Sequence, residues 1–356
     1  MKIVIVGGVA GGATAAARIR RLDEHAEITV FERSGYISYA NCGLPYYIGD
    51  VITDPEELTL QTPESFFQRF RIDMKIHHEV IAIHPDRKTV SVKNLENGEI
   101  FEENYDKLIL SPGAKPAQPK LPGAGIDKLF TLRTVEDTFR IKEYINKNHP
   151  KTAILAGGGF IGLELAENLR ELGLDVTIVQ RPKQLMNPFD PDMAPMIHNE
   201  MRKHGIKLVL GYTVEGFKEK DNGVEVLLKD NPSLHADMVV LAIGVTPDTA
   251  LAKEAGLELG IKGSIVVNER METSVPDIYA AGDAVQVKHY VTGDDTLISL
   301  AGPANKQGRI IADNICGGDS RYLGSQGSSV IKVFDMTAAT TGINETNAKK
   351  SGLEVD

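Results

Sequence analysis

Two stretches of this 356-residue sequence repeat the same order of buried strand, glycine-rich turn, helix and second strand. The first runs from KIVIVGG through GVAGGATAAARIRRL to EITVFER, and the second is TAILAGGGFIGLELAENLRELGLDVTIVQR. Continuous apolar runs are typical of strands buried on both faces of a parallel sheet. Glycines after such a strand let the backbone approach a pyrophosphate, which the helix N-terminus attracts. The repeat therefore predicts an α/β protein with two Rossmann-like dinucleotide-binding domains.

The glycine patterns of the two copies differ at one position. The second copy carries the complete G-x-G-x-x-G motif, at Gly157, Gly159 and Gly162. The first copy has Gly7 and Gly12 at the outer positions, but Val9 stands where the middle glycine is expected. A single glycine-rich turn after a strand is common, whereas two, each between a strand and a helix, predict two dinucleotide sites.

The residues that end the second strands differ as well. The first copy ends at Glu32, and a carboxylate there accepts hydrogen bonds from ribose hydroxyls. The second copy ends at Gln180, followed by Arg181. Glutamine removes the repulsion that an acid exerts on a 2′-phosphate, and arginine adds a positive charge. The pair is compatible with NADPH as well as NADH, and the alternative is that Arg181 is simply solvated at a strand end.

Two further apolar strands fit the first nucleotide site. YDKLILSPGAKP ends in a Pro-Gly turn, and TSVPDIYAAGDAV ends in Gly282 and Asp283. An acid after a strand-end glycine can accept hydrogen bonds from a ribityl hydroxyl. The alternative for Asp283 is an N-cap of the following helix, and the two roles are compatible.

Composition narrows the classes of function. The formal charge is −10, with 39 basic and 49 acidic residues and no Lys/Arg-rich run, which argues against a nucleic-acid partner. No apolar stretch reaches the ~18 residues of a membrane span, and the N-terminus lacks the layout of a signal peptide. The two cysteines, Cys42 and Cys316, form no C-x-x-C pair, so a reducing, cytoplasmic setting is expected. The default for Cys316 is a small buried hydrophobe.

Six motifs occur in an order that resembles one family. They are GGVAGGATAAARIRR, SYANCGLPYYIG, LILSPGA, GGGFIGLELAENL, IYAAGDAV and LAGPANKQGR. The sequence is similar to single-cysteine pyridine nucleotide–disulfide oxidoreductases, above all to coenzyme A-disulfide reductases and NADH-dependent persulfide or polysulfide reductases. NADH oxidases and peroxidases come next. The resemblance implies a glutathione-reductase-like fold with FAD in the first site and NAD(P)H in the second.

The resemblance also implies a domain order in which the NAD(P)H domain is inserted into the FAD domain. Turn-rich composition near Lys115–Pro122 and Ala242–Pro247 marks the boundaries. We expect an FAD domain at 1–115 and 245–320, an NAD(P)H domain at 116–244, and the start of an α+β dimerisation domain at 321–356. That last domain would be incomplete at Asp356, which puts the family's homodimer in doubt for this chain.

The expected nucleotide contacts follow from the motifs and the resemblance together. For FAD they are Gly7, Val9, Ala10, Gly11, Gly12, Glu32, Arg33, Val80, Ser111, Pro112, Gly113, Gly282, Asp283 and Ala301. For NAD(P)H they are Gly157, Gly158, Gly159, Phe160, Ile161, Gly162, Glu164, Gln180, Arg181 and Gly244. The resemblance puts Glu164 near the junction of flavin and nicotinamide, and its alternative is a helix-surface glutamate.

Cys42 is the candidate catalytic residue. A helix is expected close behind it, with Pro45 in the first turn, and a helix N-terminus favours a reactive thiolate. The resemblance implies that its sulfur faces the flavin. Two-cysteine relatives use C-x-x-x-x-C, but the fifth residue after Cys42 is Tyr47. The partner must therefore come from outside, as sulfur of coenzyme A disulfide, a persulfide or a polysulfide, or as oxygen in a sulfenic acid.

Candidate substrate contacts lie near the cysteine and on the first helix. Ser38 and Asn41 match substrate contacts of the family. The others are Thr14, Arg18, Arg21, Arg69 and Arg71. Arg18 and Arg21 are three residues apart, so they share a helix face, and paired guanidinium groups suit the phosphates of coenzyme A. The alternative is a basic face in contact with water.

Three functional classes remain open at this point. The first is a reductase of sulfur substrates, and the second is an NADH oxidase or peroxidase that cycles Cys42 through sulfenic acid. The third is a non-catalytic FAD-binding redox sensor or interaction module. The arginine pair and the Asn41 and Leu44-Pro45-Tyr46 sequence favour the first class.

Overall fold

A computed structural model of the protein describes residues 1–117 and 120–355. By contacts the chain forms two compact units. The first comprises Met1–Tyr39, Thr59–Lys115 and Thr246–Gly327, and the second comprises Ala40–Leu58, Pro116–Val245 and Ser328–Asp356. The assignment of nucleotides to domains stays a prediction, and residues 118 and 119 of the predicted boundary lie outside the described residues.

The described residues form strands and helices with the following bounds. The strands are β1 (Lys2–Val6), β2 (Glu27–Phe31), β3 (Asp73–Lys75), β4 (His78–His84), β5 (Thr89–Asn94), β6 (Ile100–Asn104), β7 (Lys107–Leu110), β8 (Ala114–Pro116), β9 (Leu129–Thr131), β10 (Thr152–Ala156), β11 (Asp175–Gln180), β12 (Lys207–Leu210), β13 (Val214–Lys220), β14 (Gly223–Leu228), β15 (Asn231–Ala236), β16 (Met238–Leu241), β17 (Val245–Pro247), β18 (Ile278–Ala280), β19 (Val287–Lys288), β20 (Asp295–Thr296), β21 (Ser329–Val333) and β22 (Met336–Thr340). The helices are α1 (Ala10–Leu22), α2 (Leu44–Ile48), α3 (Pro63–Phe70), α4 (Val135–Asn148), α5 (Phe160–Glu171), α6 (Ala194–Lys203), α7 (Ala250–Glu254), α8 (Ala301–Ile315) and α9 (Glu345–Lys350).

The first unit is built on a parallel five-stranded sheet with the strand order β18-β7-β1-β2-β3. The apolar run that begins the sequence is its central strand, in which Ile3, Val4 and Ile5 are fully buried. Helix α1 packs against α8 so closely that a Cβ on Gly308 would lie 2.5 Å from the carbonyl oxygen of Gly11. The small residues of α1 therefore serve close helix packing, as their type predicts.

The second unit repeats this plan. Its parallel sheet has the order β12-β11-β10-β16-β9, and a three-stranded antiparallel sheet, β13-β14-β15, shares its core. The stretch QGSSVIKVFDMTAATTGINE forms the hairpin β21–β22, which contacts α5 and α6. Its assignment to a dimerisation domain stays a prediction.

The two parallel sheets share one topological feature. In each, the first strand of the repeat is flanked by the second strand on one side and by a later strand on the other. The strand order reverses there, and ligands of such sheets bind outside the carboxyl ends of the strands at that point. Both glycine-rich turns follow these central strands, so the predicted Rossmann-like α/β fold is confirmed. Among the described residues, no helix has both the length and the apolar character to cross a bilayer.

Candidate functional site

The glycine turn of the first unit can be formed only by glycines at its two outer positions. Gly7 has φ +97°, and a Cβ there would lie 2.1 Å from the carbonyl oxygen of Ser111. A Cβ on Gly12 would lie 1.9 Å from the carbonyl oxygen of Gly7. Val9 occupies the N-cap position of α1 and supplies no side-chain cap. The first-turn N–H groups therefore have no side chain that competes with a bound phosphate.

Glu32 is fixed beside this turn by backbone donors. Its Oε2 accepts a hydrogen bond from the N–H of Gly8 at 2.8 Å, and its Oε1 accepts one from Ser34 at 2.9 Å. The neighbouring Arg33 pairs with Asp248 at 2.9 Å. The carboxylate thus lies where the motif predicts, at the end of β2 next to the glycine turn.

The strand-end turns of the first unit adjoin the same region. A Cβ on Gly11 would lie 2.7 Å from Oγ of Ser111, and Gly282 donates its N–H to the buried Gln307 at 2.8 Å. Asp283 lies inside the short 3₁₀ segment Gly282–Ala284, whose N-cap position is held by Ala281. The alternative of a helix N-cap at Asp283 is therefore wrong, because the next α-helix, α8, begins only at Ala301.

The remaining predicted FAD contacts lie around this turn or in the core. Pro112 and Gly113 follow β7, and Gly113 has φ +72°. Ala10 and Ala301 are the first residues of α1 and α8. Val80 on β4 is buried in the hydrophobic core of the unit.

In the second unit, the three motif glycines have different reasons to be glycine. Gly157 has φ +121°, and a Cβ there would lie 2.2 Å from the carbonyl oxygen of Ala242. A Cβ on Gly162 would lie 2.1 Å from the carbonyl oxygen of Gly157. A Cβ on Gly159 would meet nothing within 4 Å. Protein packing does not require glycine at 159, and the open space fits the approach of a pyrophosphate to the start of α5, where Phe160 and Ile161 follow.

Gln180 occupies in this unit the place that Glu32 has in the first. Its Oε1 accepts a hydrogen bond from the N–H of Gly158 at 3.0 Å, just as Glu32 accepts one from Gly8. The next residue, Arg181, is exposed and has no hydrogen-bond or ion-pair partner in the part of the chain that the structure describes. Gly244 has φ +110°, with open space where its Cβ would be. The end of β11 is therefore neutral where the end of β2 carries an acid, and it has a cation beside it.

The cysteine lies in a segment that leaves the first unit and packs with the second. Residues 40–58 belong to the second unit by contacts, and α2 contacts α4 and α5. The base of this excursion is closed by a bridge between Tyr39 and Thr59 and by a 3.0 Å hydrogen bond from the N–H of Leu60 to the carbonyl of Ser38. We call residues 40–58 the cysteine excursion.

The local structure around the cysteine agrees with the sequence pattern. Cys42 is an exposed free thiol in the 3₁₀ turn Asn41–Gly43, directly before α2, and Pro45 lies in the first turn of that helix. Cys316 is half-buried and packs against the core of the first unit, and burial raises the pKa of its thiol. Cys42 is therefore an exposed thiol, whereas Cys316 is part of the packing of the first unit.

Two acidic groups and one phenol lie close together where α2 packs on α5. Burial, followed by the charge of Glu167, raises the pKa of Glu164 to about 7. Burial raises the pKa of Tyr46, and the charges of Glu164, Glu167 and Cys42 raise it further. Glu164 was among the predicted site residues, whereas Tyr46 and Glu167 were not. The available signals were that Tyr46 lies four residues after Cys42 and that the two glutamates are three apart on one helix.

The raised pKa of Glu164 predicts a pH-dependent stability. The folded protein binds this proton more tightly than the unfolded chain, whose Glu pKa is about 4.3, so the contribution to stability is lost as pH rises towards 7. Glu164→Gln is expected to be more stable than the wild type at pH 8, by on the order of 1–3 kcal/mol, with little difference near pH 4. Urea unfolding at both pH values measures this. The exposed Glu171→Gln on the same helix is the control, and equal effects of Glu164→Gln at both pH values would contradict the assignment.

The predicted substrate-binding residues of α1 contact two different helices, α8 and α3. Oγ1 of Thr14 donates to Asn305 at 2.8 Å, and Arg18 pairs with Asp313 at 2.9 Å, so both residues turn to α8. Arg21 instead lies 5.7 Å from the ring centroid of Phe70. Although Arg18 and Arg21 share a helix face by spacing, their guanidinium groups contact different helices, α8 and α3.

Arg21 of α1 and Arg69 of α3 approach the same aromatic ring. The guanidinium of Arg69 lies 5.1 Å from the centroid of Phe70, the same ring that Arg21 approaches. Arg71 is the C-cap of α3, with φ +52°. The structure therefore places Arg21 and Arg69 at one ring, whereas the sequence spacing had paired Arg21 with Arg18.

Ser38 belongs to the first compact unit and Asn41 to the second. Ser38, with φ +49°, donates its N–H to the carbonyl of Gly8 at 2.9 Å, which ties it to the first glycine turn. Asn41 begins the exposed turn that holds Cys42.

One group of potential metal ligands lies among the described residues of the second unit. Ligand atoms of Glu200, His204 and Asp335 are within 4.8 Å of one another. Nζ of Lys203 lies 3.5 Å from Glu200 and 3.3 Å from Asp335. This ammonium already supplies positive charge to both carboxylates, so the group is explained as an ion-pair network between α6 and the turn of the β21–β22 hairpin.

The sequence profile of the pyridine nucleotide-disulphide oxidoreductases matches residues 1–308, and the chain belongs to this family. Family members use FAD and NAD(P)H, and the glycine turns of both units fit such nucleotides. The resemblance given by the motifs is confirmed.

Two of the similar proteins are named as reductases of sulfur compounds. A coenzyme A disulfide reductase of Staphylococcus aureus is 40% identical over 351 residues, which is 98% of this chain and 78% of the relative. The structure of reduced Bacillus anthracis CoADR-RHD has 51% identity and a TM-score of 0.97, and it matches 99% of this chain. An NAD-dependent persulfide reductase from A. fulgidus has 37% identity and a TM-score of 0.96, again over 99% of the chain.

A third solved structure and the lengths of the relatives complete the comparison. The water-forming NADH oxidase from Lactobacillus brevis has 34% identity and a TM-score of 0.94, and the match covers 99% of this chain and 78% of that one. The chain spans 63% of the B. anthracis protein and 66% of the A. fulgidus protein.

Proposed function

We propose that this chain is an FAD-dependent NAD(P)H oxidoreductase that reduces coenzyme A disulfide, a coenzyme A persulfide or a polysulfide through Cys42. The observation that carries the proposal is an exposed thiol, without a second cysteine in its excursion, in a chain with two dinucleotide folds. The missing sulfur must then arrive with the substrate. The names of the S. aureus and A. fulgidus relatives support a sulfur acceptor.

The chemistry of Cys42 can be written in balanced steps for coenzyme A disulfide. The thiolate attacks one sulfur, a mixed disulfide with Cys42 forms, and the other half leaves as a thiolate. Two electrons and a proton then release the second half as a thiol and restore the Cys42 thiolate. Bound FAD supplies two-electron transfer from NAD(P)H. The sum is one NAD(P)H, one proton and one disulfide consumed, and two thiols and NAD(P)⁺ formed.

In that scheme, residues of this chain bind FAD and NAD(P)H and orient the substrate. Glu32 and the first glycine turn are proposed to bind FAD, and Gly159 with Gln180 is proposed to bind NAD(P)H. Arg21 and Arg69 offer two guanidinium groups to the phosphates of a coenzyme A substrate. We further propose the FAD domain at 1–115 and 245–320, the NAD(P)H domain at 116–244, the start of a dimerisation domain at 321–356, and a cytoplasmic location.

An acceptor panel tests the function. Purified FAD-loaded protein is mixed anaerobically with NADH or NADPH and with coenzyme A disulfide, coenzyme A persulfide or polysulfide, and separately with hydrogen peroxide or oxygen. We expect two thiols per NAD(P)H with coenzyme A disulfide, and at least about tenfold higher kcat/KM for a sulfur acceptor than for peroxide or oxygen. Flavin reduction without turnover of any acceptor would instead indicate a non-catalytic module.

A second candidate function is supported by one of the solved structures. The L. brevis NADH oxidase has the same fold at 34% identity, and a Cys42 sulfenic acid would replace the mixed disulfide in such an enzyme. If oxygen or peroxide is the fastest acceptor in the panel, this alternative replaces the sulfur-reductase proposal.

A further inference from the structure

The helix that follows Cys42 is too short to fix the cysteine by itself. α2 has five residues, and an isolated helix of that length does not form in water. Its position must come from tertiary contacts, and those contacts lie within the second unit, on α4 and α5. What orients Cys42 is therefore whatever fixes α2 to these two helices.

The contact with α4 centres on one partly buried lysine. Nζ of Lys142 donates to the carbonyl of Ile48, the last residue of α2, at 2.9 Å, and pairs with Asp50 at 2.6 Å. The Lys142 side chain is only 13% exposed, whereas Asp50 is 58% exposed. The last carbonyl groups of a helix have no hydrogen-bond partner within the helix. The Lys142 ammonium therefore gives the Ile48 carbonyl a partner that the helix cannot supply. The Ile48 side chain is fully buried.

The same end of α2 is also packed on both sides. Tyr47 meets Phe139 of α4 edge-on, with ring centroids 5.5 Å apart. Gly49 lies so close to α5 that a Cβ there would be 2.1 Å from Oδ1 of Asn168. Asn168 is buried, and its Nδ2 donates to the carbonyl of Glu164 at 2.7 Å. The C-terminal end of α2 is thus fixed, while Cys42 at the other end is exposed.

We propose that Lys142 is a positioning residue for Cys42, acting through the C-terminal end of α2. Its ammonium fixes Ile48 and Asp50 to α4, and the rigid turns of α2 transmit that position to the thiol. Lys142 touches neither substrate nor cofactor in this role. The inference rests on the proposed function of Cys42, because it concerns the catalytic use of that thiol.

The test compares Lys142→Met with Lys142→Arg and with the control Lys147→Met, an exposed lysine of the same helix. With FAD-loaded protein, we expect Lys142→Met to lower kcat for coenzyme A disulfide about tenfold, because small displacements of a reacting group cost one to two orders of magnitude. KM should change less than about threefold, and NADPH-dependent ferricyanide reduction, which does not need Cys42, should stay within about twofold. Lys142→Arg should recover most of kcat.

A second measurement does not depend on turnover. In a Cys316→Ser background, iodoacetamide alkylation reports on Cys42 alone, and its rate should change at least about threefold in Lys142→Met but not in Lys147→Met. Hydrogen exchange of Leu44–Ile48 should become faster in the same variant. If Lys142→Met does not fold, Asp50→Asn, which removes only the exposed ion-pair partner, should shift kcat and alkylation in the same directions by a smaller factor.

The outcomes separate this inference from the function it rests on. If Lys142→Met behaves like Lys147→Met while Cys42→Ser is inactive, the positioning role is overturned and the function stands. If Cys42→Ser keeps its turnover, the proposed function fails whatever Lys142 does. Equal losses of ferricyanide and disulfide reduction in Lys142→Met would show general damage and would also overturn the positioning role.

Discussion

Cys42→Ser is expected to lower kcat for coenzyme A disulfide by at least about a thousandfold, because a hydroxyl cannot form the mixed disulfide with the substrate. The exposed side chain makes few packing contacts, so the fold should be unchanged. NADPH binding and ferricyanide reduction should persist within about twofold, since the glycine turns and Gln180 are untouched. Steady-state assays with both acceptors, together with a thermal melt, measure these effects.

The matched control for this substitution is Cys316→Ser. Cys316 packs against the core of the first unit, and burial raises the pKa of its thiol, so it is a poor nucleophile. We expect turnover within about twofold of the wild type, with at most a modest loss of stability. Retention of more than about a hundredth of the turnover by Cys42→Ser would remove Cys42 from the mechanism.

Gln180→Glu is expected to lower the ratio of kcat/KM for NADPH to that for NADH by about 10- to 100-fold. The fold should tolerate the change, because a carboxylate can accept the same hydrogen bond from Gly158 that Glu32 accepts from Gly8. The new negative charge would repel a 2′-phosphate and accept hydrogen bonds from the ribose diol of NADH. Initial rates with both nucleotides at several concentrations give the ratio.

Arg181→Gln separates the two interpretations of the neighbouring arginine. If the exposed guanidinium contacts a 2′-phosphate, the NADPH rate should fall several-fold while the NADH rate changes little. An unchanged ratio would make Arg181 a solvated residue at a strand end. An unchanged ratio in Gln180→Glu would mean that Gln180 does not set the preference either.

The features that the sequence predicted best are those that depend on residues close together in the chain. The glycines at 7, 12, 157 and 162 are required by backbone carbonyls that lie five residues away or directly after a neighbouring strand, so a short motif carries much of their geometry. The helix after Cys42 was predicted from Pro45 in its first turn, but the 3₁₀ turn that holds Cys42 was not. The Rossmann-like fold of both units was predictable because a repeated strand–turn–helix–strand unit has few ways to fold, whereas the strand orders come from the structure.

Long-range pairing was not predictable in the same way. Arg18 meets Asp313 across 295 residues, and no spacing within α1 reveals that partner. Tyr46 and the two glutamates of α5 come together only because α2 packs on that helix. The N-cap alternative for Asp283 was wrong because the chain forms a 3₁₀ turn there and delays the helix until Ala301.

The closed base of the cysteine excursion has an evolutionary consequence. Because the chain leaves and re-enters the first unit at the Tyr39–Thr59 bridge, substitutions or length changes within residues 40–58 need not shift the register of β2 and β3. The excursion can therefore vary without disturbing this sheet, as long as its contacts with α4 and α5 are kept. If Cys42 reduces the acceptor as proposed, changes in the excursion alter that chemistry while the parallel sheet of the first unit keeps its register.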